Sequence, residues 1–458
     1  MSDLIQSDPS LDEPITSRDP LLGYFTAGMK PRAEWKIGTE YEKVAVERKT
    51  GRAVRYFGPR GIEALLREIA DRFGWTPRRE GRHTIALEKG KASITLEPGG
   101  QVELSGEPWE DIHKAQAELT EHVSEIVTIA EELGIAFLGL GIQPVSSLDD
   151  IEWVPKQRYG IMAPYMEKVG SLGQRMMKQT ATVQTNLDFS DERDAMEKMR
   201  VGMGLAPILT AMFANSPICD GRLNGYMSYR QHVWTDTDRN RCGLLPFVFS
   251  RDAGFEDYLD WALGVPMYFI RRGGTLIDLT GMPFREFLKR GAAGHHATLG
   301  DWQLHLTTLF PEVRLKTYIE IRSVDSQPPE RMLALPALMK GILYDSDCRL
   351  GAWDLVKAWS WSERLEIYDA SHREALDARA RGIRLLDLAS ELCAIARVGL
   401  ARQDVRNARG EDETIYLAAV ERQLELGKSP ANIVADRWLG PWNESIDELI
   451  EFSAYRLL

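Results

Sequence analysis

Three widely separated segments share one pattern, and it restricts the fold more than any other feature of the chain. Over the length of a strand, apolar residues alternate with carboxylates, carboxamides and cations. Alternate side chains of a strand face opposite sides. In Glu34–Glu47 this puts Glu40 and Glu42 on one side, about 7 Å apart. In Ala181–Phe189 it sets Gln184, Asn186 and Asp188 opposite Val183, Thr185 and Leu187. In Leu315–Val324 it sets Lys316, Tyr318, Glu320 and Arg322 opposite Leu315, Thr317, Ile319 and Ile321. Each segment has one face for a core and one for polar chemistry. The plain account of the polar face is the solvated side of an antiparallel sheet. Closely spaced acids and amides, with Glu97 and Glu103 flanking Pro98-Gly99-Gly100 nearby, favour a functional surface instead.

The other elements agree with a sheet and helices. A helix is expected over Gly61–Phe73, then short strands at Thr84–Glu88, Ala92–Glu97 and Gln101–Leu104 separated by turn residues. An amphipathic helix follows at Trp109–Leu133, with an apolar strand or buried segment at Ala136–Ile142. Ser190 is placed as the N-cap of a helix running to about Ala214. Asn215–Gly243 reads as a loop, and from Glu330 the pattern is helical. The fold class is therefore α+β with a mainly antiparallel sheet. The expected organisation is a mobile segment over 1–20 and a single domain over 21–458, helical from about 330.

Composition closes off other classes. Lys plus Arg number 56 against 68 Asp plus Glu, a formal charge of −12, so no nucleic-acid partner is expected. The longest apolar run, Leu205–Ala214, is too short for a membrane span. An acidic, proline-broken start and four scattered cysteines point to a cytoplasmic protein with reduced thiols. Gly139-Leu-Gly141-Ile-Gln-Pro144 lacks the third glycine of a dinucleotide fingerprint, and no P-loop is present.

Oxygen ligands without Cys or a zinc-type His motif suit a hard cation such as Mg²⁺, with Mn²⁺ as a substitute. Two or more Mg²⁺ held by four or five Glu offer a way to hold a triphosphate without a P-loop. The stretch Gly221–Arg241 carries Arg222, Arg230, Arg239 and Arg241 among aromatics, which reads as a pocket for a small anion rather than a salt-bridged surface loop. The eight histidines read mainly as packing or surface residues, and no triad or GxSxG is present.

Taken together, Ile37-Gly-Thr-Glu-Tyr-Glu-Lys43, Leu96–Gly106, Thr182–Asp188, the arginine stretch, Val265–Phe269 and Asp301–Arg322 closely resemble plant-type glutamate–cysteine ligases, in order from about residue 20 to the C-terminus. The resemblance implies a fold like the glutamine synthetase catalytic domain: a curved sheet forming a metal-lined funnel, surrounded by helices. It implies metal ligation by Glu40, Glu42, Glu97, Glu103 and Glu320, with Gln184 at a position where a distant branch uses His. It gives Arg322 the transferring phosphate, with Glu40 and Glu42 counted beside it as catalytic. Lys316 and Asn186 join Arg322 around ATP. Arg230 and Trp234 fall to the glutamate-binding loop and Met267 and Tyr268 to cysteine, while Arg239 and Arg241 of the same arginine stretch are counted as substrate-binding through its anion pocket. The implied reaction joins the γ-carboxylate of glutamate to the amine of cysteine through γ-glutamyl phosphate, with glutamate, cysteine and ATP as the partners of a monomer or homodimer. A ligase using another amine, or a non-catalytic binding descendant, are the alternatives. A disulfide described for the plant type aligns with Leu333 and Cys348, so this chain cannot form it.

Overall fold

The structure, a computed structural model, describes residues 9–457. Nine strands build the main sheet: β1 (Ile37–Glu47), β2 (Thr76–Glu80), β3 (His83–Lys89), β4 (Ala92–Leu96), β5 (Val102–Ser105), β6 (Ile135–Leu138), β7 (Val183–Leu187), β8 (Val313–Leu315) and β9 (Ile319–Ile321). Their order is β8-β9-β7-β1-β5-β4-β3-β2, with β6 added to β1, and every pairing is antiparallel. β1 is the spine. Ile37–Tyr41 pairs with β7, Glu40–Lys43 with β5, and Val44–Glu47 with β6. Among the described residues the end strands β8 and β2 do not pair, so the sheet is open.

β1 is buried from Ile37 to Val46. Glu40 is 6% exposed, Glu103 5% and Glu320 0%, so the acidic face of the sheet is not a solvated one. The opposite face carries Tyr41, Leu87, Ile94, Leu104, Val183, Leu187 and Ile321, all fully buried. They pack in one core with Leu119, Val123 and Ile126 of a long helix, each contributing about 1.5–3 kcal/mol of burial.

Four helices matter for the site: α1 (Ile62–Phe73), α2 (Ile112–Leu133), α3 (Glu192–Phe213) and α4 (Tyr229–Thr235). α2 starts where Asp111 accepts from the Lys114 amide at 2.8 Å, three residues after Trp109, where a helix was expected to begin. α3 is capped by Asp191, not Ser190. Asp191 accepts from the Asp194 amide at 2.8 Å, while the Ser190 amide donates to Asp194 at 3.0 Å, which sets Ser190 one position outside the helix.

Two further expectations are corrected. Leu315–Val324 is not one strand, since β8 turns through Lys316–Tyr318 into β9 and the two pair as a hairpin. Asn215–Gly243 is not all loop, because it contains the short pair Ile218–Cys219 with Arg222–Leu223, and α4. Of the segment 1–20, residues 1–8 lie outside the described residues. Beyond them, Ile15 donates to the Ala297 carbonyl at 2.8 Å and Arg18 pairs with Glu256 at 2.6 Å, which docks that stretch on the body. From Pro329 onward the chain is helical apart from one small hairpin, Arg379–Ala380 with Ile383–Arg384.

Candidate active site

The polar face of the sheet opens into a funnel. β1 contributes Glu40 and Glu42, β5 Glu103, β7 Gln184, and the β8–β9 hairpin Arg314 and Lys316, with Arg322 just beyond it. Glu97 follows β4 in a turn closed by its amide on the Gln101 carbonyl at 2.9 Å. Glycine is required there: a Cβ on Gly99 would lie 2.1 Å from the Lys178 carbonyl oxygen.

Glu42 and Glu103 face each other across β1 and β5. One carboxylate oxygen from each of Glu42, Glu97 and Glu103 lies within 4.8 Å of the other two. Burial first, then the charges of Glu97 and Glu103, hold the Glu42 carboxyl well above the usual carboxylate range. Three crowded acids with only oxygen atoms to offer match a hard divalent cation. Glu40 lies in the same funnel and accepts from Asn186 Nδ2 at 2.9 Å.

Glu320 is in a different environment. Arg314 grips it in a fork, Nε to Oε2 at 2.6 Å and Nη2 to Oε1 at 2.8 Å. Arg322 Nη1 reaches Oε2 at 2.8 Å and Lys316 Nζ lies 3.5 Å from Oε1. Burial alone would raise its pKa, but Arg314, Lys316 and Arg322 outweigh it and hold the carboxyl well below the usual range. Glu320 therefore stands apart from the carboxylate trio, as the anchor of a cationic wall. Arg322 also donates to Gln184 Oε1 at 2.5 Å and lies 5.7 Å from the Phe310 ring centre.

α4 supplies the third wall. Ser228 caps it by accepting from the Gln231 amide at 3.2 Å, and the four-residue spacing of Arg230 and Trp234 puts both on one face. The Arg230 guanidinium lies 5.9 Å from the Trp234 ring centre and is 2% exposed. Arg230 Nε and Trp234 Nε1 are both buried without a hydrogen-bond partner. Two unmatched donors side by side in a pocket suit a carboxylate.

Other expected site residues lie elsewhere. Arg241 is fully buried, bonded to Asp238 at 2.6 Å and to the Pro266 carbonyl at 2.7 Å, with its guanidinium 4.0 Å from the Tyr268 ring centre. Its charge is spent on holding the loop, and Met267 and Tyr268 are core residues beside it at 0% and 1% exposure. Arg239 is exposed. None of these four lines the funnel, nor does Asn186, which acts behind Glu40. His305 is buried against the Ala262 carbonyl and its pKa falls to about 3, so it serves packing.

The funnel also contains residues that sequence reading missed. Arg314 was legible, since it extends the even-numbered face of Lys316, Glu320 and Arg322 by two residues. Arg158, Tyr159 and Met162 from the helix Gln157–Val169, and Met176 and Met177 from the helix Gly173–Gln179, complete the opposite wall. No motif marks them.

Comparison with known proteins bears on family and fold. The profile of the Glutamate-cysteine ligase family 2 matches residues 36–452. The chloroplastic glutamate–cysteine ligase of Solanum lycopersicum is 45% identical over 446 residues, 97% of this chain and 83% of the relative. That of Nicotiana tabacum is 46% identical over 97% of this chain and 84% of the relative. A glutamate–cysteine ligase from Francisella tularensis, solved in complex with AMP, superposes with a TM-score of 0.55 at 12% identity, covering 92% of this chain and 87% of that one. At that identity the likeness speaks for the fold. The expected cytoplasmic location is contradicted by these relatives, both of which are named as chloroplastic. No helix among the described residues is long and apolar enough to cross a membrane.

Proposed function

The chain belongs to the Glutamate-cysteine ligase family 2, and we propose that its funnel joins the γ-carboxylate of glutamate to the amine of cysteine at the expense of ATP, the first step towards glutathione. The observation that carries this reading is one cavity holding both a carboxylate trio, Glu42, Glu97 and Glu103, and a cationic wall, Arg314, Lys316 and Arg322. ATP needs both. A divalent cation held by the trio, with Glu40 at its edge, would screen the phosphate oxygens of ATP; the all-oxygen donor set favours Mg²⁺.

The chain's own groups supply the rest. Arg230 and Trp234, with their unmatched Nε and Nε1 donors, receive the carboxylate of glutamate and fix its reach. Glu320 holds Arg322 by its Nη1, which leaves the remaining edge of that guanidinium for the phosphoryl group in transit. The γ-carboxylate oxygen attacks the terminal phosphorus and ADP leaves, giving γ-glutamyl phosphate. The cysteine amine then attacks the acyl carbon, loses a proton, and inorganic phosphate departs. Tyr159, Met162, Met176 and Met177 form the half-apolar wall against which the cysteine side chain rests. Residues 21–458 act as one catalytic domain, since the funnel is lined from Glu40 through Arg322 and the later helices close the core behind it.

The test is ADP release with glutamate and Mg²⁺ in the presence of each amino acid in turn. Cysteine should give at least about tenfold higher kcat/KM than any other amine, a difference near 1.4 kcal/mol. A faster rate with another amine would assign a different acceptor. No ADP with any amine would make the chain a binding descendant.

A further inference from the structure

The sheet has a second cavity on its other face. Its volume is about 420 Å³, far more than the roughly 15 Å³ that a water molecule needs, and it shares no lining residue with the funnel. β5 shows the separation: Glu103 lines the funnel, while its neighbour Leu104 lines this cavity. Two indoles, Trp75 and Trp109, stand with Leu104 and Ala92 as its apolar walls, and α2 closes it with His122 and Glu118.

Three wall atoms are buried without a hydrogen-bond partner: His122 Nδ1, Glu118 Oε2 and Trp109 Nε1. Burial holds the Glu118 carboxyl above its usual range, while the Glu107 amide and Trp109 pull the other way, although no hydrogen bond of normal geometry joins Trp109 to it. His122 is 2% exposed, and its other nitrogen lies 2.7 Å from Lys43 Nζ. Buried polar atoms of this kind ordinarily have partners.

The charges choose the partner's sign. Lys89 is matched by Glu121 at 2.8 Å and Glu125 at 3.2 Å, and Lys114 by Glu110, outside the cavity, at 2.7 Å. Among the described residues Glu107 and Glu118 have no ion-pair partner. Glu118 spends Oε1 on the Glu107 amide at 2.9 Å, which leaves Oε2 for an incoming donor. That oxygen sits under Gly106, where a Cβ would come within 2.3 Å of it.

We propose that this cavity is a ligand site for a small organic cation, a flat aromatic ring carrying an alkyl ammonium group. The ring lies against Trp75 and Trp109, where a nearby cation also gains from their faces, and the ammonium donates to Glu118. The site lies outside the glutamate, cysteine and ATP machinery.

The experiment is calorimetric titration of the full chain with tryptamine, and with indole-3-acetate as an anion carrying the same ring, each with and without saturating Mg-ADP and glutamate. Tryptamine should bind one to one in both conditions, at least about tenfold more tightly than indole-3-acetate. Glu118→Gln keeps the bond to the Glu107 amide and should weaken tryptamine at least about tenfold. Ala117→Trp, on the exposed side of α2 at the cavity mouth, should abolish binding by filling the space. Absence of saturable binding in the millimolar range, displacement by Mg-ADP or glutamate, or affinity unchanged in Glu118→Gln would overturn the assignment. If Ala117→Trp proves unstable by its thermal midpoint, the Glu118→Gln titration decides alone.

Discussion

Glu320→Gln tests whether the buried glutamate of the hairpin is a metal ligand or the counter-ion of the cationic wall. Glu320 is 0% exposed and faces Arg314 in a two-point grip at 2.6 and 2.8 Å, Arg322 at 2.8 Å and Lys316 at 3.5 Å. The substitution keeps shape and removes one charge, so it leaves three cations without their shared anion. Removing one member of such a buried set costs about 3–5 kcal/mol, because the remaining charge stays desolvated and uncompensated. The sign differs for a ligand. A carboxylate placed mainly for a metal is a burden in the metal-free protein, and its neutralisation would leave stability unchanged or improve it. The assay is urea unfolding of wild type and variant in excess EDTA. A loss of about 3–5 kcal/mol is expected. The pH dependence adds a check. The folded pKa of Glu320 is depressed, so its contribution is present above the unfolded value near 4.3 and is lost as pH falls through the folded one. The gap between wild type and variant should therefore close only in strong acid. A loss under about 1 kcal/mol at neutral pH, or a gap that appears only when Mg²⁺ is added, would refute the reasoning.

Glu42→Gln should reduce turnover to background at limiting Mg²⁺ while the metal-free fold gains about 1 kcal/mol, since it relieves the repulsion among Glu42, Glu97 and Glu103; near-normal activity would remove the trio from the reaction. Arg230→Ala should raise the KM for glutamate about 30- to 1,000-fold, or 2–4 kcal/mol, with little change for ATP, whereas Arg322→Ala should act on kcat; interchanged effects would exchange the two roles. Burial pushes the thiols of Cys219, Cys242 and Cys393 up to about 12 and that of Cys348 to about 11, so adding a strong reductant should change activity less than about twofold; a several-fold loss with a mapped cysteine pair would count against this. Burial lowers Lys43 to about 7, so the unfolded chain binds its proton more readily between pH 7 and the unfolded value near 10.4. Stability should rise over that window about 1.4 kcal/mol per pH unit more steeply in wild type than in Lys43→Met, and parallel curves would show that Lys43 keeps its proton when folded.

Much of the architecture was readable because strand alternation is a local property. Glu40 beside Glu42, the apolar backs of β7 and β9, and the antiparallel run of β3, β4 and β5 follow from a period of two and the turns between them. The carboxylate trio was within reach for the same reason, because Glu97 and Glu103 bracket a tight turn and the strand that carries Glu103 lies against β1. The β8–β9 hairpin was hidden: Lys316-Thr-Tyr318 carries no Gly or Pro to announce a turn, so an alternating run read as one strand. Arg241 misled in another way. An arginine amid aromatics looks the same in sequence whether it faces a ligand or, as here, Asp238 and Tyr268.

The sequence by itself determined the class of fold, the hard-oxygen character of any metal site and, through its ordered motifs, the family. Those depend on residue type and short spacing, which the chain carries everywhere along its length. Only the tertiary structure decided which charges meet. It set Glu320 among arginines and apart from Glu42, Glu97 and Glu103, turned Arg230 and Trp234 into the funnel, and opened the cavity behind β5. Whether a buried carboxylate serves a metal or a guanidinium depends on what packs within a few ångströms of it: the β8–β9 turn folds Arg314 back onto Glu320, and the pairing of β1 with β5 brings Glu42 to Glu103.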